Sequence, residues 1–156
     1  VNPAAALRPC IWLPLFNVLT NSYVASPVDW NIFRCHINER ILEEGFAEDR
    51  CIGYWFFSQE EMQAIQKYTT ASVENRNGTA AHDLSVLSNP LTDKLFCYLL
   101  QDVFRNTPAS FFKENIHTLS QIRQALKNLE LKGNSIDIKS LITLADESYV
   151  IRATQH

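Results

Sequence analysis

Glycine is scarce in this chain, 4 of 156 residues, methionine occurs once, and no apolar run approaches the roughly 20 residues of a membrane span. No Gly-rich phosphate cradle and no nucleophile elbow is present. The four cysteines, Cys10, Cys35, Cys51 and Cys97, are widely scattered, with no C-x-x-C pair and no histidine at zinc-finger spacing. Reduced thiols in an intracellular protein are therefore expected rather than disulfides or metal. Excess positive charge is also missing: 14 Lys and Arg stand against 17 Asp and Glu, a formal charge of −3. That balance argues against a nucleic-acid footprint over the whole surface, although it leaves room for a local basic patch. No charged-then-apolar signal segment opens the chain, which starts on Val1 and so reads as a piece of something longer.

What is present describes a packed globular domain. Hydrophobic residues make up 46% and aromatics 11%, enough to bury a core without staples. The sharpest local signal is the stretch 51–70. Ile52, Tyr54, Trp55, Phe56 and Phe57 are strand formers, and Ser58 three residues before Glu61 makes a capping box that satisfies orphan amide donors at a helix start. Phe57 and Met62 stand at the positions of a hydrophobic staple, and Met62, Ile65 and Tyr68 continue one helix face.

Before that landmark, residues 10–19 form an apolar run of strand composition, in which Pro14 cannot donate to a ladder and pushes the segment to an edge or bulge. Turn signals around Ser26 and Pro27 precede a half-buried strand at 30–37, with Phe33, Cys35 and Ile37 on one face, and a short strand at 41–46. The first half is therefore expected to be mainly β. Residues 71–88 lose periodicity and read as a linker or loop; Asn77-Gly78-Thr79 there matches a glycosylation acceptor, a fit that a loop in an intracellular chain reaches by chance. Asn89-Pro90 then starts a helix with Leu91, Leu95, Leu99 and Val103 on one face. A second helix from about Ser110 carries Phe112, Ile116, Leu119, Ile122, Leu126 and Leu129 as a narrow, coiled-coil-like stripe, stopped by Gly133. A third starts at Ser135 or Asp137 and uses Ile138, Leu141, Ile142, Ala145 and Tyr149.

Nothing in this pattern suggests an active site. Glu43 with Glu44 and Glu60 with Glu61 are neighbours only in sequence, whereas acid/base work needs two carboxyls facing one bond. Cys35 and His36 would face opposite sides of a strand, and His82, His117 and His156 have no ligand partners at three- or four-residue spacing. A non-catalytic protein without cofactor or metal is the expectation.

The run Gly53-Tyr54-Trp55-Phe56-Phe57 followed by Ser58-Gln59-Glu60-Glu61-Met62 resembles the last strand and C-terminal helix of the decapping activator family, the non-catalytic partners of the Nudix mRNA-decapping enzyme. Phe16-Asn17-Val18-Leu19 is similar to that family's Phe-x-Ile-Met strand and Ile32-Phe33-Arg34 to its Leu-Tyr-Arg, with Cys35 where the family usually has Asn. Beyond the linker, Leu91-Thr92, Phe96, Leu99-Leu100, Val103-Phe104, Asn106, Phe112 and His117 resemble the segment through which animal members trimerise. The family domain also carries an N-terminal docking helix and more strands than fit before Ser58 here.

The resemblance implies an α+β fold: a pleckstrin-homology-like β-barrel, trimmed, over 10–70, closed by the Ser58 helix, a linker at 71–88, and a helical association segment over 89–150. It implies a cytoplasmic adaptor in mRNA decay that binds the decapping enzyme and proline-rich peptides, whose polyproline II conformation loses little entropy on docking. Trp55 is the cradle wall carried over directly; Trp30 and Trp12 are candidates by type only, with core packing as the ordinary alternative. Leu95, Leu99, Phe112, Ile116, Leu119, Ile122 and Leu126 would carry oligomerisation, a trimer included. Arg34 could meet RNA or an acidic partner, against the plainer reading of a solvated strand charge. The rival to the adaptor is a helical oligomerisation or structural interaction module with no peptide groove.

Overall fold

A computed structural model describes residues 9–113 and 116–144. Residues Cys10–Asn17 (β1) and Ser22–Asp29 (β2) form an antiparallel hairpin in which Cys10 pairs with Asp29 and Asn17 with Ser22. The turn falls at residues 18–21, inside the run expected to continue as strand to residue 19. Asn17 Oδ1 accepts the Leu19 amide and Asn21 takes a left-handed φ of 51°, both habits of asparagine in turns. Ser26 and Pro27, expected to mark a turn, lie within β2 opposite Leu13 and Trp12.

Register explains why two prolines are tolerated. The Phe16 and Tyr23 amides, which face each other across the hairpin, donate outward to the Asp137 and Asn77 side chains. Pro14 and Pro27 share their outward-pointing phase, so neither strand loses a ladder bond, and both outer edges lack a donor for a further strand. Asn77 stands in for a third strand: its Oδ1 accepts the Tyr23 amide at 2.8 Å and its Nδ2 donates to the Tyr23 carbonyl at 2.9 Å. The amide of the glycosylation-like triplet is thus engaged in the fold.

Helix α1, Trp30–Glu43, replaces the two strands expected at 30–37 and 41–46. Asp29 ends β2 and caps α1, its carboxylate accepting the Asn31 and Ile32 amides. Trp30, Phe33, Ile37 and Ile41 are fully buried at helical spacing, while Cys35 is exposed, so the period is helical and not alternating.

The aromatic run at 51–57 is not a strand. Gly53 and Phe57 are extended around a single 3₁₀ turn, Tyr54–Phe56, and no neighbouring strand pairs with the run. Helix α2, Gln59–Asn77, starts as expected: Ser58 Oγ accepts the Glu61 amide at 3.1 Å and Glu61 Oε1 accepts the Ser58 amide at 2.9 Å. It runs through the first seven residues of the expected linker and stops where Gly78 takes φ 76°, with Thr79 and Gly78 amides returning to Glu74 and Asn75 carbonyls.

Two π-helical stretches, Leu91–Phe96 and Leu99–Val103, occupy the place of the first expected C-terminal helix. The second is shorter than expected: α3 spans Leu119–Asn128 and starts at a capping box of Thr118 and Gln121. Before it, Phe112 makes an antiparallel bridge to Ile142, with Thr143 donating to Phe111 and Lys113 to Leu141. After it, Glu130–Leu131 (β3) and Asn134–Ser135 (β4) form a tight hairpin whose corner, Lys132 and Gly133, has positive φ at both residues, as a type I′ turn requires. Gly133 therefore serves the hairpin and does not end the helix. Of the third expected helix only a 3₁₀ turn, Ile138–Ser140, is seen, capped by Asp137; Ala145 and Tyr149 lie outside the described residues.

The architecture is α+β but mostly helical, two small two-stranded sheets with helices around them. Among the described residues there is no barrel, because the residues expected to supply its strands form α1 and a turn. One hydrophobic cluster takes side chains from Ile11 in β1 through Phe33, Ile65, Leu99 and Ile122 to Leu144, so the expected halves share a core across 71–88.

Candidate interaction surface

Residues 51–57 have little regular structure of their own, so their position is set from outside. Trp30, Arg34 and Asn38 stand at i, i+4 and i+8 on α1, beside the core stripe of Phe33, Ile37 and Ile41. Asn38 brackets Ile52 as a strand neighbour would: Oδ1 accepts the Ile52 amide at 2.6 Å and Nδ2 donates to its carbonyl at 2.9 Å. Arg34 donates to the same carbonyl at 3.1 Å and bonds Asn31, while its guanidinium lies 5.9 Å from the Tyr54 ring centre. Trp30 Nε1 donates to the Tyr54 carbonyl at 2.9 Å, and its ring packs on Phe57 at 5.0 Å. From the first π-helical stretch, Lys94 donates to the Phe56 carbonyl, pairs with Glu61 at 3.1 Å and covers the Phe56 ring at 4.9 Å.

Ile52 and Phe57 are buried at the ends of this segment, and its middle projects. Trp55 is 86% exposed, with the Tyr54 ring edge-on against it at 4.9 Å. An exposed tryptophan at the tip of a pinned turn is costly to leave in water and is the residue type most often found at binding hot spots.

The three tryptophans grouped as cradle candidates are dispersed by the fold. Trp30 is 0% exposed, a core residue whose polar atom is spent on Tyr54, so the peptide-binding expectation for it is corrected. Trp12 is half-buried on β1, and its carbonyl accepts from Thr69 of α2 at 2.9 Å. The oligomerisation stripe is likewise turned inward. Leu95, Leu99, Phe112, Ile116, Ile122 and Leu126 are buried in the chain's own core, and Leu119 is half-buried against it, so none presents an open seam. Arg34, expected as a strand charge, is a helix residue holding the turn.

The clearest clefts lie elsewhere. One, about 760 Å³, sits between the hairpin and the end of α2, lined by Phe16, Tyr23, Arg76, Asn77 and Asp137 among others. Its charged groups are already engaged: Arg76 pairs with Glu130 at 3.3 Å and bonds Ser135, and Asp137 accepts the Phe16 and Lys139 amides. A smaller one, about 360 Å³, is lined by Tyr68, Asn89, Thr92, Arg123 and Lys127, with Arg123 tied to Asp93 at 3.0 Å. Burial, and secondarily the Asp93 charge, pushes the Tyr68 phenol up, so it stays protonated there. Trp55 lines neither of these, nor two further clefts along α2 of about 430 and 350 Å³.

Among the described residues no group of three or more His, Cys, Asp or Glu is placed to hold a metal ion, and no helix is long and apolar enough to cross a membrane. No family model, no curated protein and no solved structure matches the chain.

The sequence signal for this surface was split. Trp55 is singled out by its resemblance, but Asn38 and Arg34 as its supports are not legible there, since a strand reading of 30–37 stops short of Asn38 and nothing local says that Arg34 turns toward the 51–57 segment.

Proposed function

We propose that this chain is a non-catalytic adaptor that recruits a partner protein through the 53–56 turn, and that the partner belongs to the cytoplasmic mRNA-decapping machinery. The observation that carries the adaptor reading is Trp55, 86% exposed on a segment whose backbone is anchored from two helical elements. An exposed aromatic that merely capped the core would bury its face; this one is held away from it. The decapping partner is supported by the order of residues alone: Gly53 to Phe57, then Ser58 and Glu61, then Leu91 to Phe112 in the sequence of the decapping activators. The reading does not require a barrel. It does not require oligomerisation through Phe112 to Leu126 either, since that stripe is used inside the chain.

Capture of purified mRNA-decapping enzyme by the immobilised chain tests the proposal. Binding is expected for the wild type and its loss for Trp55→Ala with an unchanged melting temperature. No capture by the wild type would remove the decapping partner, and equal capture by both would remove Trp55 as the contact.

A further inference from the structure

Resting on that reading of Trp55, the geometry points to a mode of recognition: Trp55 is a pre-oriented knob that a partner protein receives in an apolar pocket of its own, and Asn38 and Arg34 are the positioning residues that hold it out. A peptide-binding cradle needs a groove, whereas Trp55 is 86% exposed and lines none of the four clefts described above. A peptide that paired with the turn's backbone would need its carbonyls. Those of Ile52, Gly53, Tyr54 and Phe56 already accept from Asn38 and Arg34, from the Phe56 amide, from Trp30 and from Lys94 respectively. What the turn presents most openly is the Trp55 side chain. Tyr54 stands edge-on beside it at 4.9 Å, and 86% of the residue is open to solvent. The occupant of such a site is therefore a concave partner surface, apolar around the ring and carrying an acceptor for the indole N–H, since a buried tryptophan N–H needs one.

The Asn38 bracket gives this knob its rigidity. A free 51–57 segment would have to be ordered at the moment of binding, at a cost of about 1–2 kcal/mol per residue fixed. Two hydrogen bonds from Asn38, one from Arg34 and one from Trp30 settle that cost during folding, so that insertion of the ring proceeds without it.

The test has a partner-free arm and a partner arm. In Asn38→Ala, hydrogen exchange at the bonded amides of this segment, Ile52 and Phe56, is expected to accelerate at least tenfold while α1 and α2 amides keep their rates; uniform acceleration, or none, would make Asn38 a general stabiliser and overturn its positioning role. A decaproline peptide titrated into the wild-type chain is expected to leave the amide signals of 53–56 unmoved; saturable shifts there would establish a cradle and overturn the knob. Dimerisation lost in Trp55→Ala would overturn it too, by making a second copy the occupant. With purified decapping enzyme, N-acetyl-tryptophanamide is expected to compete capture away, and capture insensitive to it would overturn the pocket. Failure of the enzyme to bind at all falls on the choice of partner, and the exchange and decaproline results still decide the geometry.

Discussion

Replacing Trp30 and Trp55 by alanine, one at a time, separates a core tryptophan from a surface one. Trp30 is 0% exposed, packs against Phe57 with ring centres 5.0 Å apart and donates to the Tyr54 carbonyl. Truncating a buried tryptophan costs about 3–5 kcal/mol in lost transfer energy and residual cavity. Against a total stability of about 5–15 kcal/mol, that loss is from a fifth of the whole to nearly all of it. Trp55 is 86% exposed, with the Tyr54 ring edge-on beside it, so its removal is expected to change stability by no more than about 0.5 kcal/mol. With a urea m-value of about 2 kcal/mol/M, Trp30→Ala lowers the unfolding midpoint by about 2 M and Trp55→Ala leaves it in place. Far-ultraviolet circular dichroism is the appropriate signal, because the perturbed residues are themselves the fluorophores. Equal midpoints for the two variants would refute the reasoning. So would a Trp55→Ala protein that unfolds, since it would return the aromatic run to a buried strand.

Ser58→Ala removes one half of the α2 capping box and is expected to cost about 1 kcal/mol in a thermal melt. Burial pushes the Glu61 carboxyl up, but the Ser58 amide and Lys94 outweigh it and hold it below its ordinary 4.5, so its contribution is complete above that value and lost as pH falls through the lower, folded one. Glu61→Gln keeps a capping acceptor but loses the Lys94 charge pair, and its stability deficit against wild type should be present near neutrality and close in acid; a deficit that grows with acidity would contradict the assignment. Gly78→Ala meets no atom within 4 Å but forces an alanine to φ 76°, a backbone cost of about 1–2 kcal/mol with no packing component. Asn77→Ala leaves the Tyr23 amide and carbonyl without their partner and is expected to cost about 1–3 kcal/mol, measured by urea unfolding, with faster hydrogen exchange at Tyr23 as its local signature.

Local chemistry that depends on a few adjacent residues was legible in the sequence. The Ser58 and Glu61 box, the start of α2 and the edge position of the strand that holds Pro14 follow from donors, acceptors and a missing amide within a few residues. The nature of 30–43 was not, because the segment carries two periods. Phe33, Cys35 and Ile37 alternate as in a strand, whereas Trp30, Phe33, Ile37 and Ile41 repeat as in a helix, and only a window reaching Ile41 together with Asp29 as a cap separates them. Thr118 with Gln121, and Lys132 with Gly133, were signals of the same local kind that the longer Phe112 to Leu129 stripe concealed. The aromatic run at 51–57 has the composition of a strand, yet a strand needs a ladder; its hydrogen bonds go instead to Asn38, Arg34, Trp30 and Lys94, up to 38 residues away in sequence. No local property of those residues announces that arrangement, nor that Trp55 is the one left outside.

Fluorine NMR of the chain labelled with 5-fluorotryptophan measures the outcome for all three tryptophans at once, with each signal assigned by substitution. On exchanging water for deuterium oxide, the Trp55 resonance should show the full solvent isotope shift of the free amino acid, Trp30 none, and Trp12 a partial one. A solvent-shielded Trp55, or a Trp30 that responds like it, would contradict the account of a knob held out by α1.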